Sequence, residues 1–399
     1  VAISTRIDQE RTDANRFALL AMAMTSFGVG TTETIVTGLL PDIAGSLSVP
    51  LSSAGLLVSA YAWCVAIAAP TLTALTLRVP KKPLLLVLLA IFVLAHVVSA
   101  LSGSYAVLLM SRCVAAAVHG VAMGIGVVVS AHLVDERRRA QAVGVMLSGI
   151  TLANVAGVPL GLFLGHAFSD WHAPFWAIAG WGGLSLLALW KTLPNDVNLH
   201  VTSVASEVAV FRDGRMLLSY AAMIVGFGST FVGFTYIAPI LESVAAFSPS
   251  SVTWVLLVFG AGLSAGNAAG ARYADTWPLR TAFVSLACLA CVMGSLGLVY
   301  ATKWAVVAYV FLWGVASYAF VPALIMRILT RAGRAPNLAS AMNVSAFNAG
   351  IGGGALVGSL VVKGGGAGVA ATPVVGAAGA VLAIVLLTLS VKAGADRAE

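Results

Sequence analysis

The sequence predicts an all-α integral membrane protein of twelve transmembrane helices in two pseudo-symmetric six-helix bundles, on three observations. Of its 399 residues 60% are apolar and 9% charged, and the mean hydropathy is +0.98, whereas an average soluble domain carries about 25% charged residues. Apolar runs of the roughly 20 residues that a helix needs to cross a hydrocarbon core recur twelve times. Between alternate runs the basic residues gather in small clusters, as cytoplasmic loops do.

The runs fall near 17–40, 51–77, 83–102, 104–132, 140–167, 173–192, 214–240, 249–271, 279–301, 303–326, 337–362 and 368–391. Residues 1–16 are polar and mixed in charge, without the pattern of a cleavable signal peptide. With the N-terminus inside, Arg6, Arg11 and Arg16 precede the first run, and Arg78, Lys81 and Lys82 follow the second. Arg137 to Arg139, then Lys191, Arg212 and Arg215, then Arg272 and Arg280 mark the next inner loops. Arg327, Arg331 and Arg334, and finally Lys392 and Arg397, complete the series. Of 22 basic residues only Lys303 and Lys363 fall outside, and Arg112 is embedded. Both termini are therefore expected in the cytoplasm of a bacterial inner-membrane protein. The net charge of +7 then reports topology and gives no reason to expect a nucleic-acid partner.

The longest hydrophilic stretch, 193–213, divides a bundle over 1–192 from one over 214–399. Gly157, Gly161 and Gly165 recur as Gly350, Gly354 and Gly358 at a constant offset of 193, and Gly262, Gly266 and Gly270 form a third series. Glycines four apart lie on one helix face and let a second backbone approach. They read either as static close packing or as smooth ridges over which two bundles rock. Cys64, Cys113, Cys288 and Cys291 lie within runs and read as small packing residues. No metal site or cofactor is expected, and HExxH, GxSxG and nucleotide-loop patterns are missing, so an enzyme is not expected.

Glu33 and Arg112 are the charges committed to the membrane interior, where a charge costs roughly 2.5–3.5 kcal/mol and so marks function by default. Glu33 lies about nine residues from Asp42, and Arg112 eight past Ser104 on a helix running the other way, so the two share a depth. An embedded carboxylate whose protonation follows its surroundings can carry a proton; a fixed ion pair joining helices 1 and 4 is the structural alternative. His119 lies two turns past Arg112 on nearly the same face. His96, His132 and His166 read as peripheral or interfacial. Tyr61, Asn154, Phe231, Tyr236, Asn343 and Asn348 are candidates for a cavity wall suited to a weakly polar small molecule.

Twelve runs in two halves, with GTTETIVTGLLPDIAGSL, RCVAAAVHG, LANVAGVPLG, FTYIAPIL, FGAGLSAGNAAGARYAD and LASAMNVSAFNAG, resemble the major facilitator superfamily, in particular its drug/proton antiporters of the sugar and chloramphenicol efflux branch. The resemblance implies that Glu33 is the helix 1 acid of proton coupling and Arg112 the helix 4 arginine of proton transfer. Gly157, Pro159 and Gly161 match the helix 5 glycine-proline motif of antiporters. It also implies that helix 5 faces helix 8 and helix 2 faces helix 11, with the glycine ridges where the halves rock, and that helices 1, 4, 7 and 10 line the cavity. The helix 2–3 loop keeps Arg78, Lys81 and Lys82, but Thr73, Leu77 and Pro80 replace the glycine, acid and second glycine usual in the family, so the acidic latch that stabilises the family's outward-open state is not expected in the first half, whereas Arg272 and Asp275 keep a version of it in the second.

The resulting expectation is a monomeric proton-coupled efflux antiporter for a small hydrophobic or amphipathic compound, such as a phenicol, whose partners are that substrate, protons and the bilayer. The alternatives are a proton symporter for a sugar or nucleoside, against which the helix 5 motif argues, and a receptor that does not transport.

Overall fold

A computed structural model describes residues 2–76, 79–135, 139–194, 214–274, 276–332, 336–364 and 368–395. Among them there is no strand, and twelve helices are long and apolar enough to cross a membrane, as expected. The helix is the element that pairs every backbone group within itself, which lipid demands. The first half contains α1 (Ala2–Ser46), α2 (Leu51–Leu75), α3 (Lys81–Ala100) and α4 (Tyr105–His132). It continues with α5 (Arg139–Leu152, a π-helical turn Ala153–Gly157, then Val158–Phe168) and α6 (Ala173–Thr192). The second half contains α7 (Gly214–Phe234, extended by Ile237–Pro239 and a π-helical turn Ile240–Val244), α8 (Pro249–Ala274) and α9 (Pro278–Ser295). Then come α10 (Lys303–Ala319 and Val321–Ala332), α11 (Pro336–Lys363) and α12 (Thr372–Ala395). Most of the 193–213 stretch, together with Arg78 and Asp275, lies outside the described residues.

Three helices that read as continuous runs are interrupted, each beside a proline. Pro159 has no N–H and its ring crowds the carbonyl four residues back; α5 responds with a π-turn in which the Val158 N–H reaches Ala153 O. Pro322 breaks α10 at Phe320, and Pro239 sits in the interrupted end of α7.

α1 packs on α5 and α6, α2 on α4, and α3 on α4 and α6; α7 packs on α11 and α12, α8 on α10, and α9 on α12. Across the two groups α2 meets α11 and α5 meets α8. The glycine ridges, however, do not lie in those cross-contacts. A β-carbon at Gly157, Gly161 or Gly165 would meet Thr31, Ile35 or Leu39 of α1, and one at Gly350, Gly354 or Gly358 would meet Ile224, Gly228 or Val232 of α7. Gly262, Gly266 and Gly270 close on Phe311, Val315 and Ala319 of α10. All three ridges therefore serve close packing within a half, which corrects their placement at the rocking surface. The glycines that do face the other half are Gly55, filled by Tyr236, Gly260, filled by the Asn154 carbonyl, and Gly352, covered by Trp63.

Cys288 and Cys291 are also corrected: they are exposed on the bundle surface. The basic residues of the α2–α3 loop tie neighbouring chain ends, with Lys82 Nζ donating to Leu193 O at 2.5 Å and Lys81 Nζ to Thr76 O at 3.1 Å. A cation at a helix C-terminus offsets the carbonyl dipoles there.

Candidate functional site

Arg112 is 0% exposed. Its Nη1 donates to Thr32 O at 2.7 Å and to Thr32 Oγ1 at 2.9 Å, which fixes the guanidinium on α1 one residue from Glu33. Glu33 is half-buried. Among the described residues the one ion pair within 4.0 Å is His172 with Asp170. Glu33 and Arg112 therefore share a depth, as expected, but the fixed pair of the structural alternative is not made in this state. Arg112 Nε and Nη2 are buried without a partner. The face of the guanidinium is covered by Tyr61, whose ring centroid lies 4.2 Å from Cζ, a cation–π contact that leaves the in-plane N–H groups unanswered.

The network extends on both sides. Tyr61 Oη lies 3.0 Å from His119 Nδ1, so the expected alignment of His119 with Arg112 is realised through Tyr61. On the other side Thr32 Oγ1 lies 2.6 Å from His96 Nε2, and His96 Nδ1 lies 2.8 Å from Phe92 O. His96 is 1% exposed, which corrects its reading as peripheral. It lies on the same buried stripe of α3 as Leu85, Leu89, Phe92 and Ser99, a helical periodicity that would have found it.

A cavity lies between the halves, lined among others by Thr34 of α1, Asn154 and Val158 of α5, Phe231 of α7, Phe259 of α8 and Tyr318 of α10. Of the helices expected to line a substrate cavity, α1, α7 and α10 line this small one, joined by α5 and α8. Its volume is about 30 Å³, room for one or two waters and far below the roughly 300 Å³ of a small-molecule site. The proline breaks explain its chemistry. In the π-turn of α5 the Asn154 carbonyl would need an N–H from Pro159, which has none, and the absence of a side chain at Gly260 lets α8 close on that carbonyl. Tyr318, just before the α10 break, lines the same cavity as Asn154.

Tyr61 and His119 thus belong to the buried network and do not line the cavity, while Asn154 and Phe231 do. Tyr236 fills the Gly55 notch with its hydroxyl buried and unpartnered. Asn343 and Asn348 are buried in α11, each with Oδ1 unpartnered. Arg272 is exposed near the end of α8. The cross-half hydrogen bonds between α2 and α11, Ser59 Oγ to Gly352 O at 2.7 Å and Ser359 Oγ to Ser52 O at 2.9 Å, lie toward the end remote from the chain termini. The end of α7 joins them there, Ile237–Pro239 packing on α1.

Two helical bundles meet over a small cavity, joined at one end by the α2–α11 hydrogen bonds, with a half-buried carboxylate next in sequence to the lining residue Thr34; paired bundles with a site between them are the architecture of many secondary transporters. The model of the Major Facilitator Superfamily matches residues 22–359, and the chain belongs to that family of multi-pass membrane transporters, which are not enzymes. The chain is 37% identical over 94% of its length to the inner membrane transport protein YdhP of Escherichia coli K12, covering 96% of it. It is 32% identical over 87% to a probable sugar efflux transporter of Helicobacter pylori P12, covering 89% of that chain. Its fold is that of the xylose transporter XylE of E. coli in a partially occluded inward-open conformation (TM-score 0.74, 14% identity, 94% and 97% of the two chains covered). It is also that of a bacterial homologue of the human lysosomal transporter Spinster, inward-facing and unoccupied (TM-score 0.73, 17% identity, 94% and 95% covered).

Proposed function

We propose that this transporter is a proton-coupled antiporter exporting a small hydrophobic or amphipathic compound from the cytoplasm of a bacterium. The observation that carries this reading is the state of Glu33: half-buried, unpaired, and set between Thr32, to which Arg112 is anchored, and Thr34, which lines the cavity. A carboxylate so placed is neutral when the cleft is dry and ionises when water or a cation reaches it. Protonated and substrate-loaded states then alternate at one depth while the bundles rock. With the termini inside, the sealed end is the outer one and the cleft opens inward. The aromatic wall of Phe231, Phe234, Phe259 and Tyr318 favours an apolar face on the substrate. Asn154 is the polar anchor, and Asn343 and Asn348 join it when the bundles move apart.

The Helicobacter relative's name supports a second substrate class, a sugar or sugar-like polyol leaving by the same route. Export from proteoliposomes under an imposed pH difference, assayed with a phenicol, a lipophilic cation and a labelled sugar, tests both. Downhill leakage of every compound at a rate indifferent to the pH difference would sink the proton-coupled reading.

A further inference from the structure

We infer that His96 is a positioning residue for Arg112, acting through the hydroxyl of Thr32; the inference deepens the reading of Glu33 as the proton site and rests on it. The hydroxyls around Thr32 show what that group does when left alone. Thr25, Ser26, Thr31 and Thr34 each donate to the carbonyl four residues back in α1, at 2.9, 3.1, 2.8 and 3.5 Å, and Thr37 donates to Thr34 O at 2.6 Å. Thr32 instead lies 2.6 Å from His96 Nε2. The direction of that bond follows from the other ring nitrogen. His96 Nδ1 faces the Phe92 carbonyl, which can only accept, so in the neutral ring Nδ1 carries the proton and Nε2 the lone pair. Thr32 is therefore the donor, and its oxygen keeps its lone pairs for Arg112 Nη1.

The consequence reaches Glu33. Arg112 has unpartnered Nε and Nη2 and, in a dry interior, every reason to take a carboxylate. His96 and Thr32 hold it against α1, so Glu33 stays unpaired and open to the proton. His96 itself is fixed by packing, its ring 4.2 Å from that of Phe92 and 6.4 Å from that of Phe175. Removing the His96 acceptor lets Thr32 fold its hydroxyl back on Gly28 O, as its neighbours do, and frees the guanidinium to swing to Glu33.

The test uses the full chain in proteoliposomes with Thr32→Val, which is nearly isosteric, His96→Phe, which keeps the aromatic packing, and His96→Gln, which keeps an acceptor. Each of the first two is expected to slow proton-driven export about tenfold, the loss of one hydrogen bond to a charged group, while substrate exchange without a gradient stays within about twofold. The double variant is expected to be no slower than the slower single one, because both act through one bond, and His96→Gln to recover most of the rate. A second readout does not need transport: the infrared carboxyl band of Glu33, identified by its loss in Glu33→Gln, should move alike in Thr32→Val and His96→Phe. Wild-type export in both singles, multiplied losses in the double, or an unmoved Glu33 band overturns the inference. If Glu33→Gln exports normally under a proton gradient, the proton-site reading fails instead, and the band shift still decides whether His96 positions Arg112.

Discussion

In the first half α1 meets the glycines of α5 through side chains, Thr31, Ile35 and Leu39; in the second, α7 meets the glycines of α11 through backbone, at Ile224, Gly228 and Val232. These partners are related by the same offset of 193 residues as the glycines themselves, so one structural repeat has been finished in two ways. The chemistry differs likewise. The first half buries Arg112, His96 and His119 with Tyr61, and the position equivalent to Glu33 in the second half is Gly226. There the core is aromatic: Phe227 packs on Phe231, Tyr318 and Phe347 with centroids 5.0–5.4 Å apart, and Phe234 stacks on Phe259 at 4.3 Å. Buried cationic and imidazole groups thus lie in one half and an aromatic cluster in the other.

The greatest loss is expected from removing the embedded carboxylate of the first half. Glu33→Gln should reduce proton-driven export at least about a hundredfold, since transition-state losses near 2.7 kcal/mol correspond to that factor, while exchange of substrate for substrate continues. Normal proton-driven export by this variant would mean that the coupling carboxylate lies elsewhere. Glu242 is the next one to examine: it sits in the π-turn that ends α7, beyond the span Gly214–Phe234, and burial with the nearby Asp42 holds its carboxyl above the usual range.

Having one carboxylate at that depth also sets the charge moved per cycle. One inward proton against one outward neutral molecule moves one charge, so the endpoint should respond to membrane potential, by roughly 2.3 kcal/mol per 100 mV, or about fiftyfold in the gradient at 1.36 kcal/mol per tenfold. Each pH unit adds about 1.36 kcal/mol. Proteoliposomes with the potential set by potassium and valinomycin, at equal pH on both sides, measure it. A dication exchanged for one proton would run against the potential and should be a poor substrate. An endpoint indifferent to potential for a neutral substrate would require a second coupled charge and overturn one-proton exchange through Glu33.

The twelve spans were legible because length and apolarity are local properties of the chain. The shared depth of Glu33 and Arg112 was legible because counting along a helix gives depth. What a helix faces was not. The ridge of Gly157, Gly161 and Gly165 announces that something packs closely, yet α1 and α8 are equally compatible with it, and only the assembled bundle selects α1. His96 was missed although its periodicity with Leu85, Leu89 and Phe92 places it on the buried face, because a histidine four residues from a helix end reads as interfacial. Tyr318 was missed because its exposure to the cleft depends on the break that Pro322 makes four residues later.

A difference of intermediate size is expected between the glycine contacts of the two halves. An alanine at Gly161 would touch the tip of Ile35, a flexible side chain, whereas one at Gly354 would press into the backbone of Gly228. Alanine gains about 1 kcal/mol of helix propensity over glycine, and overpacking costs about 1–3 kcal/mol where the neighbour cannot move. Gly161→Ala is therefore expected to be near neutral, and Gly354→Ala to be destabilised by up to about 2 kcal/mol, read as a lower midpoint of thermal unfolding in detergent. Equal midpoints would mean that the second half's backbone contacts relax as easily as side chains.

The smallest effect concerns the turns at the sealed end. Ser169 ends α5 in the left-handed region with φ 49°, and Asp170 Oδ1 then accepts from the His172 backbone N–H at 2.9 Å and meets its Nδ1 at 2.5 Å. These bonds hold the Asp170 carboxyl below the usual range. The equivalent position in the second half is Lys363, which cannot accept at all. A lowered carboxyl contributes stability above its unfolded value of about 3.9, and that stability is lost as pH falls through the folded value. Because the Asp170 side chain is 51% exposed, solvent screening keeps the contribution under about 1 kcal/mol. Asp170→Asn should thus unfold slightly earlier than wild type at pH 7, with the gap closing as the pH is lowered past the folded value. A gap that is constant with pH would assign the turn's stability to its backbone geometry, which the second half could share, and leave the carboxylate no part in it.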